Sequence, residues 1–321
     1  MRMGLFLACA DGFTVFCFQC WWTLGWTAVT VPLYIVVLAT LIKHRKHEDL
    51  KHAFFRFMLS LGIADIMGML LTIFVYRQAY LFGWYPEFLT EAGGKLVFWY
   101  DTIRELTNFV QQTTLVLIAA NRFTAFYKPV KHEIIWRDSR VAFWICLSWC
   151  TGILWTTPRL LFDFEVHDPD PNRTEHVVYL WYTWQSQLVF NMVLSASCAA
   201  FSAPIAFGLY VAVFLKAFKH ANRGSQANRV ALKLALCGFT LTVMDMAGAV
   251  VILVENAVWL LLKLNLYHFR ILAQGFTTDV FSGANPYLLL ITSKKFRRKL
   301  LSFCQKQPAD AKIVAVARAR Q

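Results

Sequence analysis

Long apolar runs alternate with short polar stretches along this chain. Seven runs stand out, at Leu24–Ile42, Phe54–Tyr76, Leu96–Tyr127, Val141–Phe162, Trp184–Phe218, Val230–Val254 and Phe269–Thr292. A bilayer core needs about 20 mostly apolar residues per helix, so each run is long enough to form one span. The third and fifth exceed that length, which predicts tilt or projection beyond the bilayer. Trp21, Trp22, Trp99, Tyr100, Trp181 and Tyr182 crowd the ends of the runs, where amphipathic rings suit the membrane–water boundary. No soluble domain, internal repeat or low-complexity linker interrupts the series.

Composition strengthens this reading. The chain of 321 residues is 58% hydrophobic and only 16% charged, against about 25% charged residues in an ordinary soluble domain. It has too little polar surface to coat a soluble core. The expected fold class is therefore an all-α membrane protein, a bundle of seven transmembrane helices. The net charge of +13 suggests nucleic acid at first sight. Its distribution argues otherwise, and no nucleic-acid partner is expected.

The charge is sorted by side. Lys43, Arg45 and Lys46 lie in the first connection, Lys128, Lys131 and Arg137 in the third, and Lys216, Lys219 and Arg223 in the fifth. The tail adds Lys294, Lys295, Arg297, Arg298 and Lys299. The other connections are acidic, with Glu87, Glu91, Asp163, Asp168 and Asp170. Basic loops stay in the cytoplasm, so the N-terminus is expected outside and the C-terminus inside. The sequon at Asn172-Arg173-Thr174 then falls in an outer loop, where a glycan can be attached. The implied division is a short extracellular N-terminus over 1–23, a membrane domain over 24–292, and a cytoplasmic helix with a basic tail over 293–321. The opening MRMGLFLACAD has a basic start and a short apolar run, but apolar sequence resumes at Phe13, and no cleavage is expected.

Cys17-Phe18-Gln19-Cys20 is a lone CxxC pair, and no second Cys or His pair accompanies it at metal spacing. No metal or cofactor is expected, and buried thiols serve as small apolar residues. Cys304 differs, because it closes the basic stretch SKKFRRKLLSFC. Phe296, Leu300 and Phe303 recur there at i, i+4 and i+7 among basic residues. This predicts a short amphipathic helix lying on anionic lipid, with Cys304 a candidate for palmitoylation.

Three polar features inside the apolar runs carry the functional reading. Asn121-Arg122 stands at the cytoplasmic end of the third run, followed by Pro129, which disfavours helix before it. Asp65 lies within LSLGIAD in the second run. Asn285-Pro286 lies within ANPYLLLITSKKF at the end of the seventh. Taken alone, Arg122 reads as a snorkelling interface arginine, and Pro286 as a tolerated transmembrane proline. Their order and topology together resemble the rhodopsin-like G-protein-coupled receptors. The chain resembles most closely the nematode serpentine chemoreceptors of the Srg superfamily, in the Srv or Srg group, over nearly all of Leu24 to Leu301.

The resemblance implies roles. Arg122 matches the arginine of a DRY-like motif, which holds the inactive state through polar contacts and releases them for a G protein. Asn121 replaces the usual acid and is expected to act as a hydrogen-bond partner. Asn285 and Pro286 match an NPxxY-like motif, with Tyr287 displaced to follow the proline directly. Asp65 matches the acid of the second helix, where relatives can hold sodium, although the first helix here lacks the family's asparagine. Asn121, Arg122, Asn285, Pro286 and Asp65 thus form the expected coupling and switching set. Trp149 fits a packing role, and Pro158 ends or bends the fourth span. The implied function is a chemosensory receptor in the plasma membrane, by resemblance of sensory cilia, with a small-molecule ligand and a heterotrimeric G protein as partners.

Helical geometry places the ligand. Stepping from Arg122 by three and four residues gives Ile118, Leu115, Gln111, Asn108, Arg104 and Asp101 on one face. Gln111 is expected to meet Asp65 and Asn285 at mid-depth. Arg104, Asn108, Gln111, Asn191 and Gln274 are the expected ligand-binding residues, with Gln187 and Asp279 nearby. An unneutralised Arg104 would favour an anionic ligand. An Arg104–Asp101 pair at i, i−3 is the competing reading, with Glu105 expected to point elsewhere. Asp245 in the sixth span has no assigned partner. Gly238 and Gly248 either ease movement of that span or serve close packing. The alternative function is a transporter or ligand-gated channel using Asp65, Asp245, Asp279 and Arg104 as a polar pathway. No HExxH, GxSxG or paired-acid motif supports an enzyme.

Overall fold

The structure is a computed structural model and describes residues 14–48, 50–71, 95–161, 164–167, 179–182, 185–219, 226–262 and 267–304. Seven long helices form a bundle. They are α1 (Thr14–Lys43), α2 (Ala53–Leu71), α3 (Lys95–Tyr127), α5 (Asp138–Thr156), α6 (Gln185–Lys219), α7 (Gln226–Leu262) and α8 (Tyr267–Thr292). Two shorter helices join them: α4 (Pro129–Ile135) after α3, and α9 (Lys294–Cys304) after α8. Helix α1 begins at Thr14, ahead of the expected Leu24, within the stretch expected to precede the first span. An antiparallel ribbon of β1 (Phe164–His167) and β2 (Tyr179–Tyr182) adds an element that the apolar pattern does not signal. The loop joining its strands, with Asn172, lies outside the described residues.

Helix α3 holds the middle, packed against α2, α5, α6 and α7, and the ring closes where α8 meets α1. Among the described residues, five segments are long and apolar enough to cross a membrane by themselves: Trp21–Lys43, Ala53–Leu71, Asp138–Leu160, Ser197–Lys219 and Leu232–Val251. Helices α3 and α8 are not among them, because their faces carry Glu105, Gln111 and Arg122, and Asp279, Ser282 and Asn285. These polar side chains are all buried. They face neighbouring helices rather than lipid, which is where a membrane bundle tolerates them.

Local chemistry sets the ends of these elements. Helix α3 stops at Tyr127, and Pro129 opens α4 at its first turn, where a missing N–H costs nothing. Pro158 lies in the 3-10 turn Thr157–Leu161 that follows α5. Helix α8 runs on through Pro286. Ser293 caps α9 by accepting from the Phe296 amide at 3.2 Å. Arg297 reaches back to the carbonyls of Leu290 and Ile291, at 2.5 and 2.7 Å, where a cation satisfies the exposed end of α8. Phe296 is fully buried in the main apolar cluster and Leu300 packs against it, while Lys294, Lys295 and Arg298 stay exposed. The side chains of Phe303 and Cys304 lie outside the described residues.

Close helix contacts rely on small residues, since lipid offers no hydrophobic drive between spans. An added Cβ at Gly62 of α2 would come 2.7 Å from Leu38 of α1, and one at Gly152 of α5 would come 2.8 Å from Leu106 of α3. At Gly283 of α8 it would strike the Trp26 indole. That indole lies on α8 and donates to the Asp279 carbonyl at 2.9 Å.

Candidate functional site

Asp65 is the centre of the bundle's polar core. It is 1% exposed, and three donors from three helices converge on it. Tyr34 of α1 donates to Oδ2, Gln111 of α3 donates to Oδ1 at 2.7 Å, and Asn285 of α8 donates to Oδ2 at 3.4 Å. Gln111 also reaches Ser282 at 3.3 Å. The structure thus brings together Asp65, Gln111 and Asn285, as helical spacing on the third span suggests. Gln111 is committed to this core at 3% exposure, so it does not line an outer cavity. Here one O–H and two N–H groups solvate the carboxylate.

Tyr34 is the residue that sequence reasoning missed. Its signal was present in the spacing of Thr23, Thr27, Thr30 and Tyr34, all buried on one face of an otherwise apolar α1. Thr23 donates to Asp279 Oδ2 at 2.7 Å, and Thr30 shares a 3.2 Å hydrogen bond with the Tyr287 hydroxyl. This stripe seats α1 on α8, and it occupies Asp279 and Tyr287. Asp279 therefore belongs to the α1–α8 contact and not to a ligand wall. Trp149 matches its expected packing place, donating to Ser60 of α2 at 3.1 Å.

At the basic end of α3, Arg122 is 8% exposed and lies over the Phe54 ring at 4.2 Å. The expected polar contacts are absent among the described residues: the Arg122 Nε has no hydrogen-bond partner. Asn121 was expected to be a hydrogen-bond partner, yet its buried Nδ2 reaches no acceptor. Cation–π attraction takes their place, because Phe54 fills the position beside the guanidinium. Tyr210 of α6 and Cys237 of α7 lie within electrostatic reach of Arg122. The Tyr210 hydroxyl, also without a partner, abuts Gly238 of α7. Gly238 thus serves close packing.

The connection after α3 is wired back onto it. Thr124 donates its one hydroxyl proton to the carbonyls of Ala120 and Asn121, both at 3.0 Å. Its lone pairs then accept from Trp136 Nε1 at 2.6 Å and from His132 Nδ1 at 3.2 Å, which assigns the proton to Nδ1 of His132. Burial, and then the Arg122 guanidinium, hold His132 below its usual range, with Glu133 opposing and His52 adding to the effect. His52 is lowered for the same first two reasons. A histidine lowered in the folded state binds fewer protons than in the unfolded state. Its contribution is complete above pH 6.5 and is lost as pH falls below it. Melting temperature is expected to fall between pH 6.5 and 5.5, and His132→Gln to flatten that dependence. An equal slope in His132→Gln would place the titration elsewhere.

At the opposite end of α3, Arg104 does not wait for a partner. Its guanidinium meets Glu105 at 3.0 Å, and Arg159 from the 3-10 turn reaches the same carboxylate oxygen at 3.8 Å. Glu105 does not point elsewhere, as expected, but sits between two arginines. Adjacent helical residues normally diverge. Here Arg159, 2% exposed, fixes Glu105 on the side that Arg104 can reach. Asn108 is half-buried, and its neighbour Gln112 accepts from Ser202 of α6 at 3.2 Å. The side chains of Asp101, Gln187, Asn191 and Gln274 lie outside the described residues.

Comparison with known proteins follows the same lines. A family model described as "Serpentine type 7TM GPCR chemoreceptor Srv" matches residues 23–305. Serpentine receptor class V-1 of Caenorhabditis elegans is 28% identical over 138 residues, which cover 43% of this chain and 44% of that relative. The matched stretch is less than half the length of the curated relative.

Proposed function

The chain belongs to the serpentine Srv family of seven-transmembrane chemoreceptors, and on that premise we propose that it is a receptor for an external small molecule, coupled to a heterotrimeric G protein. It is a multi-pass membrane protein. The proposed site is the plasma membrane, with residues 1–23 and the Asn172 glycan outside, and α9, a Cys304 thioester and the basic tail in the cytoplasm. The ligand enters the outer halves of α3, α6, α7 and α8. Binding favours one packing of the bundle because the ligand has higher affinity for it.

One observation carries the coupling half of this reading. Arg122 is buried at the basic end of the bundle with an unsatisfied Nε, and no carboxylate among the described residues acts on it. A buried donor without an acceptor is costly, and an acceptor supplied by a cytoplasmic partner would relieve that cost. Asp65, Asn285 and Pro286 make up the proposed switch set. The rival pathway for ions or solutes has less support, since Asp65 and Asp279 are held in interhelical hydrogen bonds.

The test is a compound screen recording second messenger and membrane current in the same cells. Second-messenger responses that vanish with GDP-locked G protein are expected. Arg122→Ala should cut them at least about tenfold, the worth of one charge-assisted hydrogen bond, at unchanged surface level. Ligand-driven current independent of G protein would select the channel reading. Full signalling by Arg122→Ala would return Arg122 to an interface role.

A further inference from the structure

The buried acids of the described residues differ in one respect. Asp65, Glu105 and Asp279 each meet donors from other side chains. Asp245 of α7 meets none: among the described residues no hydrogen bond or ion pair reaches it, and no cation acts on its charge. It is 8% exposed, on the inward stripe of α7 between Thr242 and Ala249, both buried.

Its surroundings place it where three helices meet. Cys198 of α6 lies within electrostatic reach of both Asp245 and Glu105. One turn farther in on α6, Ser202 is bonded to Gln112 of α3. Asp245 therefore lies on the side of α7 near Cys198 of α6, and α7 packs against both α6 and α3. A carboxyl inside a bilayer bundle is expensive and is normally paired or functional. Arg104 and Arg159 already share an anion in Glu105, so among the described buried carboxylates the one left open is Asp245.

We infer that Asp245 anchors a ligand bearing an ammonium or similarly strong hydrogen-bond-donating head, bound where α3, α6 and α7 converge. This rests on the reading of an external ligand entering the outer half of the bundle. It reverses the charge that Arg104 alone suggests, because Glu105 supplies the anion that Arg104 needs.

The test uses purified full-length receptor in nanodiscs. The probes are ethylamine, cyclohexylamine and 2-phenylethylamine, each paired with the alcohol and the carboxylate of the same skeleton. An amine is expected to raise the melting temperature saturably, with its alcohol and carboxylate inactive. Asp245→Asn should weaken the amine at least tenfold. It should also raise the ligand-free melting temperature by about 2–4 °C, as removal of an unpartnered buried acid predicts. The assignment is overturned if a carboxylate or alcohol matches its amine, if no amine acts on the wild type, or if Asp245→Asn keeps full affinity. Asp245-dependent stabilisation by sodium but not by potassium, as large as that by an amine, would identify a metal ion and overturn it too. Nucleotide exchange on added G protein is read in the same samples. Amine binding without exchange leaves Asp245 as the anchor and counts against the G-protein reading. Exchange driven by a carboxylate does the reverse.

Discussion

Asp65→Ala is expected to lower the melting temperature of the purified receptor by about 6 °C or more, as on the order of 3 kcal/mol of destabilisation requires. The substitution removes one acceptor and strands three donors, on Tyr34, Gln111 and Asn285. Each buried unsatisfied donor costs about 1–3 kcal/mol, and relaxation or an entering water offsets part of the total. Tyr34→Phe removes one donor while the carboxylate keeps both amides, so its cost should be only about 1–2 kcal/mol. The order of the two variants tests the geometry directly. If Asp65→Ala melts within about 2 °C of the wild type, the donors have other acceptors and the convergence on Asp65 is not what joins α1, α2, α3 and α8.

Gly238→Ala is expected to destabilise the receptor and to raise its ligand-independent signalling. The new Cβ would overlap the Tyr210 hydroxyl and come 2.8 Å from Tyr210 Cζ and 3.3 Å from Ile118. Tyr210 is fully buried, so its ring cannot swing out, and α6 and α7 must part instead. Overpacking of this kind costs about 1–3 kcal/mol. Parting occurs beside Arg122, the residue proposed to meet the G protein. Tyr210→Phe alone should be neutral or stabilising, because the hydroxyl it removes has no partner. In combination it should recover part of the loss, as contacting residues couple by about 0.5–3 kcal/mol. Strictly additive melting shifts for the two changes would show that Tyr210 does not limit the approach of α7.

Both expectations rest on contacts that are only partly legible in the chain. Five spans are legible from apolar length alone among the described residues, because bilayer thickness acts on each segment separately. The inward placement of Asp65, Gln111, Arg122 and Asn285 follows as well, since lipid rejects such side chains wherever they occur. Two elements escaped this logic. The ribbon of β1 and β2 is too short for alternation to declare it. The start of α1 at Thr14 depends on residues that the apolar run alone does not delimit.

The sequence by itself determined the seven-helix bundle, the sorting of basic from acidic connections, and the face of α3 that joins Arg104 to Arg122. Which groups meet across helices was decided only by the tertiary structure. Spacing along α3 offers Asp101 to Arg104, and the fold adds Glu105, because Arg159 arrives from another element and holds that carboxylate in reach. Spacing leaves Arg122 open to a polar partner, yet Phe54 of α2 lies under it. The absence of asparagine from the first span leaves Asp65 short of a donor on paper, and Tyr34 supplies it. In each case the partner depends on the rotation and approach of a second helix. Those are set by packing at positions such as Gly62, Gly152 and Gly283, far along the chain from the polar group they serve.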